Sequence, residues 1–306
     1  MSDAMPMFCR HNRLATTCPI CHQEQHPSRP RPTPGPRRPA GAGSREDQPP
    51  KAPATRRSSK RLVTRKLARA EDDGYRNPLA PGLRATADAE RLATALVMAA
   101  GRLQPPGPHP AVAAEPDRDE ALWLAFLLSL VGPDAPDRQA ALIATRPSWA
   151  SGEAPDLPSD QRRTAEAYRA WAARSGSQAS AFEGEPGWTP ARRFARLFER
   201  LALPGFGRAR RFELLILLGA AGLYAVEADA LHFGADDDAT TQAAKRLLVS
   251  GDRMLLERRA RELATASGLP LAALDRGLAL WGAPATALEA PGAELSADLR
   301  RALRLS

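Results

Sequence analysis

The stretch that decides the fold is TPARRFARLFERLALPGFGRARRFELLILLGAAGLY, residues 189–224. Thr189 precedes Pro190, an arrangement typical of a capped helix start. The segment LPGFG then predicts a tight turn, and a second apolar helix is predicted from Arg208 to Leu218. The apolar residues of the first helix recur at helical spacing, which predicts one buried face: Phe194, Leu197, Phe198 and Leu201. The pattern therefore predicts two helices joined by a glycine turn.

The turn has the features of an anion-binding site. Gly205 and Gly207 permit a sharp turn and, because they lack a Cβ, let an anion approach the backbone. The N–H groups that begin the second helix point toward such an anion, and the helix dipole supports its binding. Seven arginines lie between Arg192 and Arg211, against the single acid Glu199. We therefore predict contact with a phosphate backbone; the alternative is an ordinary helical hairpin with a solvated arginine face.

The rest of the body is also helical in pattern, without alternating runs of β-branched residues. One helix is predicted from Thr86, which serves as its cap. DEALWLAFLLSLVGP (119–133) predicts a central helix that is buried nearly all round. A loop is predicted from Pro133 to Pro158, before a further helix over 162–174. The expected class is all-α.

The net charge of +8 is concentrated in one segment. Residues 23–66 carry twelve lysines and arginines against three acids, whereas the residues after them carry 29 basic and 31 acidic side chains. Proline, glycine and serine are too frequent there to allow a core, so a disordered basic linker is predicted over residues 27–66. It has weak, salt-sensitive affinity for polyanions or, as the alternative, no partner. The helical domain is predicted at residues 67–306.

No part of the sequence is apolar over the length of a membrane span. The nearest run, ALWLAFLLSLVG (121–132), is about twelve residues long, where a span needs about twenty. The N-terminus has no apolar signal-peptide core, because cysteine, arginine and histidine occur within eleven residues. We therefore expect a cytoplasmic protein without membrane contact, in a reducing compartment where disulfides are rare.

All three cysteines lie in FCRHNRLATTCPIC, residues 8–21. Zinc binds four nitrogen or sulfur ligands in a tetrahedron, and a C-x₂-C pair supplies two of them from one turn. A redox pair is the rival, but no strand–helix–strand pattern surrounds it, and few apolar residues are present to bury isolated thiols. We predict a structural zinc knuckle over residues 1–26 without an open catalytic position, and His22 or His26 as substitutes for the histidine ligand. The predicted Zn²⁺ ligands are Cys9, His11, Cys18 and Cys21.

The motif LPGFG, residues 203–207, resembles the hairpin of the helix-hairpin-helix DNA glycosylase superfamily. In those enzymes the hairpin holds a DNA strand beside a base-binding pocket. Downstream, GADDDATTQAAKRLL (234–248) resembles the segment of those enzymes in which an aspartate opens a helix. By position Asp238 is the best match, with Asp236 and Asp237 as alternates; helix capping is the other explanation of each. Glycosylases that cleave the strand carry a lysine where Ala209 stands, so the resemblance implies no lyase chemistry from that position.

A closer resemblance rests on the order of several motifs along the chain. FCRHNR and CPIC come first, followed by YRNPLAPGLRATADAERLA (75–93), the hairpin, AAKRLLVSGD (243–252) and ALDRGLALWG (273–282). Together they are similar to the alpha-glutamyl/putrescinyl thymine pyrophosphorylase family, clade 3. The resemblance implies a derived glycosylase-like helical fold and a role in thymine hypermodification. Its members replace pyrophosphate on an activated 5-hydroxymethyl pyrimidine of DNA with an amine or an amino acid.

The resemblance also implies roles for particular residues. The chemistry needs a base flipped from the duplex, cations that stabilise the leaving pyrophosphate, and a general base that deprotonates the amine. Asp238 and Lys245 are the predicted catalytic residues, with Glu213 as an alternative base. The predicted nucleic-acid contacts are Gly205, Gly207, Arg208, Arg210, Arg211 and Arg246. The candidates for base stacking, each also a candidate for the core, are Tyr168, Trp171, Phe206 and Trp281.

Other functions stay open on the sequence alone. The chain is compatible with a non-catalytic DNA-binding or lesion-recognition protein of the same fold, or with a DNA glycosylase that lacks lyase activity. It is also compatible with an interaction protein that docks a partner through its zinc knuckle. DNA, and an amine or amino-acid co-substrate, are the expected partners.

Overall fold

The structure, a computed structural model, describes residues 70–234, 238–284 and 294–306. All of them belong to one of the two units into which the chain divides, Thr64–Ser306; the other is Met1–Val63. The described residues form helices and no strand, which confirms the predicted all-α class. No helix in these ranges is both long and apolar enough to span a membrane. The predicted zinc knuckle (1–26) and basic linker (27–66) lie outside the described residues.

Twelve helices follow one another along these ranges. Their bounds are α1 Thr86–Gly101, α2 Pro110–Ala114, α3 Arg118–Val131, α4 Pro136–Thr145, α5 Ser159–Arg174, α6 Gln178–Glu183, α7 Pro190–Arg200, α8 Arg208–Ala220, α9 Ala239–Leu248, α10 Arg253–Ala266, α11 Leu271–Gly282 and α12 Ala297–Ala302. The most extensive packing joins α11 to α1, and α11 also packs on α9, while α3 packs against α8.

The predicted helical hairpin is present, with α7 and α8 on either side of the LPGFG turn. The Thr189 side chain accepts a hydrogen bond from the backbone N–H of Arg192 and so caps α7, as the sequence predicts. Gly205 has φ +73°, a left-handed conformation that glycine adopts at little cost. Phe206 is buried, and its ring centroid lies 5.3 Å from that of Phe126 in α3. The turn is therefore anchored in the core through its one aromatic residue.

Helix α3 is the centre of the core. Its residues 121–130 are all buried, as its nearly uniform apolar composition predicts. The ring of Tyr168 stacks on Phe126 with centroids 3.8 Å apart, and Trp171 and Trp281 are also buried. Together with the turn phenylalanine, the aromatic candidates for base stacking therefore belong to the core.

Two predictions about helix boundaries are wrong. Ala85, not Thr86, is the N-cap of α1, and the backbone N–H of Thr86 donates to Asp73 Oδ2. The acceptor comes from a preceding loop, so the capping signal is not local. The predicted loop 133–158 contains α4, in which Leu142 is the one buried apolar residue. So narrow an apolar face gives a weak helical pattern in the sequence.

The packing of α11 positions a polar residue beside the start of α9. A Cβ on Gly277 would lie 2.6 Å from Leu96 Cδ2, so the glycine allows α11 to approach α1 closely. Thr240 Oγ1 of α9 donates to the backbone carbonyl of Asp275 at 3.3 Å. The side chain of Asp275 is thereby brought near the first turn of α9.

Candidate active site

A buried ion cluster joins three parts of the fold. Arg208, the first residue of α8, has a side chain that is 5 % exposed. Its Nε donates to Asp238 Oδ2 at 2.7 Å, and its Nη2 donates to Asp275 Oδ1 at 2.7 Å. Its Nη1 donates to the carbonyl of Leu231 at 2.6 Å. One guanidinium thus ties the hairpin to α9, to α11 and to the loop that precedes α9.

Asp238 is the N-cap of α9, so this aspartate does open a helix. Besides the bond from Arg208, its Oδ2 accepts hydrogen bonds from the backbone N–H of Thr241 at 3.1 Å and from the Thr241 hydroxyl at 2.5 Å. Capping and ion pairing therefore act together and hold the carboxylate in one orientation. The alternates Asp236 and Asp237 lie outside the described residues.

Asp275 is a member of this cluster that sequence reasoning missed. Its side chain is 13 % exposed. Burial raises the pKa of Asp275; the charge of Arg208 opposes this effect, and the charges of Asp238 and Glu213 add to it. The one feature of the sequence that could have indicated a role for Asp275 is its position as the single acid in an apolar stretch, LAALDRGLALWG (271–282). Only the fold places that acid beside the hairpin.

The cluster holds more negative than positive charge. Within the described residues, Arg208 is the one cation that pairs with Asp238 and Asp275. Burial lowers the pKa of Arg208, but the two carboxylates outweigh burial and raise it, so the guanidinium stays charged. A surplus carboxylate in a poorly solvated place favours the binding of a proton or of a second cation.

A cleft of about 420 Å³ lies next to the cluster. Its lining residues are Gly205, Gly207, Arg208, Ala209, Arg210 and Asp238. The start of α8 opens onto it, and no side chain of the described residues caps that helix end. Backbone N–H groups at an uncapped helix start attract anions. The cleft therefore combines an anion-binding end with a carboxylate in its wall.

Of the seven hairpin arginines, Arg208 is buried and Arg211 is half-buried, so the positive face is smaller than the sequence predicts. Arg208 is buried, and Arg211 lies 4.3 Å from the ring centroid of Phe198 and donates to the Phe198 carbonyl. Burial, together with the charge of Arg208, lowers the pKa of Arg211. Arg210 lines the cleft and donates to the Gly205 carbonyl at 2.8 Å. Carbonyl groups of the fold, such as those of Leu231 and Phe198, compete with solvent for the guanidinium groups. The spacing of arginines in the sequence does not reveal where such carbonyls lie.

The structure places the other predicted residues away from the cleft. Lys245 and Arg246 lie about two turns along α9 from Asp238 and do not line the cleft. The Arg246 guanidinium lies 5.3 Å from the ring centroid of Trp281. Glu213, the alternative base, forms an ion pair with the arginine that follows α1. Of the predicted acids that the structure describes, Asp238 and Glu213, Asp238 is therefore the one brought to the hairpin turn.

The two turn glycines are expected to respond differently to alanine. At Gly205 a Cβ would lie 2.5 Å from Thr164 Oγ1 and φ is +73°, so Gly205→Ala should lower the free energy of unfolding by about 1–3 kcal/mol. At Gly207 nothing lies within 4 Å of a Cβ and φ is −69°, so Gly207→Ala should leave stability unchanged. Denaturant unfolding of both variants checks this, and equal losses would contradict it.

The ion cluster lies in a stretch that is similar to a known protein family. The model of the alpha-glutamyl/putrescinyl thymine pyrophosphorylase clade 3 family matches residues 153–281. Over this stretch the chain is similar to that family. The part that matches the thymine pyrophosphorylases contains the hairpin and all three charged residues of the cluster, whereas FCRHNR, CPIC and residues 75–93 lie outside it. No curated protein and no solved structure matches the chain.

Proposed function

We propose that this protein is a DNA base-modifying transferase, which replaces pyrophosphate on an activated 5-hydroxymethyl pyrimidine with an amine or amino acid. The observation that carries the proposal is the position of Asp238. Arg208 and Thr241 fix this carboxylate in the wall of the cleft that opens at the glycine turn. The family adds the class of reaction, since its members are described as thymine pyrophosphorylases.

The proposed step is a substitution at the exocyclic carbon of the base. The amine nitrogen attacks this carbon, a carbon–nitrogen bond forms, and the carbon–oxygen bond breaks with its electron pair on the departing pyrophosphate. The proton that the amine loses passes to Asp238, which acts as general base. The pyrophosphate is stabilised at the start of α8, where backbone N–H groups and Arg210 face the cleft.

The charges around the cleft support this division of roles. Because Asp238 and Asp275 share Arg208, the carboxylate side of the cleft attracts the ammonium form of the amine. The uncapped start of α8 attracts the pyrophosphate instead. Lys245, predicted from the sequence as catalytic, and Arg246 lie farther along α9 and outside the cleft, so the proposed role of both is contact with the bound DNA strand.

The hairpin is proposed to hold one DNA strand in the manner of glycosylase-like folds. An active-site cleft of about 420 Å³ does not admit a base pair, so the target nucleotide must leave the stack. The left-handed Gly205 and the unobstructed Gly207 allow phosphates to come close to the turn. DNA binding at the hairpin would then place the flipped base beside Asp238.

A DNA glycosylase without lyase activity is the second candidate. Ala209 lines the cleft at the position where strand-cleaving glycosylases carry lysine, and an aspartate is held beside the hairpin. Both features suit hydrolysis of the bond between base and sugar as well as they suit amine transfer.

One reaction separates these functions. The full chain is incubated with duplex DNA that carries the pyrophosphorylated base, with and without putrescine or glutamate. A transferase releases pyrophosphate only when the amine is present and leaves the base in the DNA. A glycosylase releases the free base and leaves an abasic site, and a non-catalytic binding protein yields neither product. Release of the free base would contradict the proposed transfer.

A structural zinc at Cys9, His11, Cys18 and Cys21 is also proposed. These residues lie outside the described ranges, so their spacing in the sequence carries the proposal. Metal analysis of the full chain is expected to find about one zinc per chain, and Cys18→Ser/Cys21→Ser is expected to contain none, because two ligands do not hold the ion. Equal zinc contents in the two proteins would contradict this site.

A further inference from the structure

The hydrogen bonds that the described residues donate to the Asp238 carboxylate all fall on one of its oxygens. Oδ2 accepts from Arg208 Nε at 2.7 Å, from the backbone N–H of Thr241 at 3.1 Å and from the Thr241 hydroxyl at 2.5 Å. Within the same ranges no group donates to Oδ1. Because Asp238 lines the cleft, Oδ1 is the oxygen that remains available to a proton from there.

Arg208 is the common partner of two carboxylates and uses every nitrogen of its guanidinium group. Nε donates to Asp238, Nη2 to Asp275 and Nη1 to the Leu231 carbonyl. The side chains of Arg208, Asp238 and Asp275 are 5 %, 8 % and 13 % exposed. Water therefore screens their charges poorly, and each carboxylate responds to the charge of the other.

The charges of these three side chains balance when one proton is bound. Two carboxylates and one guanidinium leave one negative charge in excess. When Asp238 takes up a proton, the remaining pair of Arg208 and Asp275 is neutral. Without the charge of Asp275, the same proton would leave the buried guanidinium without a counterion, which is unfavourable. The second carboxylate therefore favours proton uptake by the first.

The neighbouring acids have cations of their own. Glu213 of α8 pairs with Arg102. Arg276, the residue after Asp275 on α11, pairs with Asp134. Within the described residues, these pairs leave the shared guanidinium to the two carboxylates of the cluster.

The electrostatics of Asp275 agree with an interaction between the two carboxylates. Burial is the largest cause of its raised pKa; the charge of Arg208 opposes burial, and the charges of Asp238 and Glu213 add to it. Interacting acids titrate as a pair, and their coupling is reciprocal. If the charge of Asp238 favours protonation of Asp275, the charge of Asp275 favours protonation of Asp238 to the same extent.

We propose that Asp275 is a positioning residue that acts through Arg208 and keeps Asp238 able to accept a proton. The inference rests on the proposed function for the source of that proton, which is the amine of the transfer reaction. The proton moves from the amine nitrogen to Asp238 Oδ1, and the electrons of the nitrogen–hydrogen bond stay on the nitrogen. Asp275, which does not line the cleft, stays ionised beside the guanidinium throughout.

Proton binding to the two carboxylates can be measured without any substrate, by carbon NMR of the full chain labelled at its aspartate carboxyl groups. Asp275→Asn keeps an oxygen that accepts from Arg208 but removes the charge. The midpoint of the Asp238 titration should then move to lower pH by about 1 unit or more. In the reciprocal variant, Asp238→Asn, the pKa of Asp275 should fall. Each signal is assigned by its loss in the variant that lacks the residue.

Asp134→Asn is the matched control. It makes the same chemical change in an acid that pairs with Arg276 instead of Arg208, so both cluster carboxylates should titrate as in the parent. The pH profile of amine transfer is measured in parallel. In Asp275→Asn its acidic limb should move to lower pH and its maximal rate should fall, because a weaker base accepts the proton less readily.

Titrations displaced in the cluster variants, with the control unchanged, support the inference even when no turnover is found; the proposed function alone then fails. Either cluster variant decides the matter when the other does not fold. Unchanged titrations overturn the inference, as does an equal displacement in Asp134→Asn. A lower transfer rate in Asp275→Asn without displacement of the acidic limb also overturns it, because Asp275 would then serve the fold alone.

Discussion

Asp238→Asn is expected to lower the rate of amine transfer by about 100-fold or more, because the variant lacks the general base. The fold should survive the change. Asparagine is as good an N-cap as aspartate, so the side-chain oxygen still accepts from Thr241, and Arg208 stays paired with Asp275. Turnover at a saturating concentration of the amine, together with thermal unfolding of the same preparation, checks both parts of this prediction.

Asp117→Asn is the matched control. Asp117 is the N-cap of α3, and its side chain accepts from the backbone N–H groups of Asp119 and Glu120. The chemical change is the same, but this residue does not line the cleft, and turnover should stay at the parental rate. A parental rate in Asp238→Asn, or an equal fall in the control, would show that Asp238 is not the base.

Arg208→Met is expected to have the largest effect on stability. Methionine replaces the apolar part of the side chain but leaves Asp238 and Asp275 buried without their cation. Removal of one partner from a buried ion pair costs about 3–5 kcal/mol, so the free energy of unfolding at neutral pH should fall by about that amount. Denaturant unfolding measures it directly.

Asp275→Asn is the comparison variant. Whereas Arg208→Met should lose stability at neutral pH, Asp275→Asn should gain stability relative to the parent as the pH rises. Burial raises the pKa of Asp275 in the folded protein, so the fold favours its protonated form. The stability from this preference is present at low pH and is lost as the pH rises through the raised pKa. Asparagine does not titrate, and Arg208 keeps its pair with Asp238. The stability of the variant relative to the parent should therefore increase from about pH 4 toward neutral pH.

Unfolding free energies of the parent and Asp275→Asn at a series of pH values check this expectation. The two proteins should be closest in stability at the acidic end. A loss of stability in Asp275→Asn as large as that in Arg208→Met would mean that both carboxylates are needed to balance the guanidinium. The cluster would then carry no surplus negative charge for the amine.

The hairpin could be predicted because its signals act locally. Thr189 caps α7, Gly205 supplies the left-handed turn residue, and the apolar spacing marks both helices. The helix that begins after Asp238 is also a local feature, since the carboxylate accepts from a residue only three positions later.

Asp275 and the inward direction of the Arg208 side chain could not be predicted in this way. Their contact forms only when α11 packs on α1 and α9, and the sequence contains several arginines with the same local pattern as Arg208. The cap of α1 was mispredicted for a related reason: the acceptor for Thr86 comes from Asp73, in a different turn of the chain. Side chains whose partners are distant in sequence are determined by packing, which periodicity does not describe.

The most direct test of the proposed transfer follows the nitrogen of the amine. The full chain is incubated with duplex DNA that carries the pyrophosphorylated base and with an isotopically labelled amine, and the nucleosides of the digested DNA are analysed by mass spectrometry. We predict a nucleoside that carries the label, formed in the same amount as the released pyrophosphate. Unlabelled nucleosides throughout, or a free base released from the DNA, would contradict the transfer.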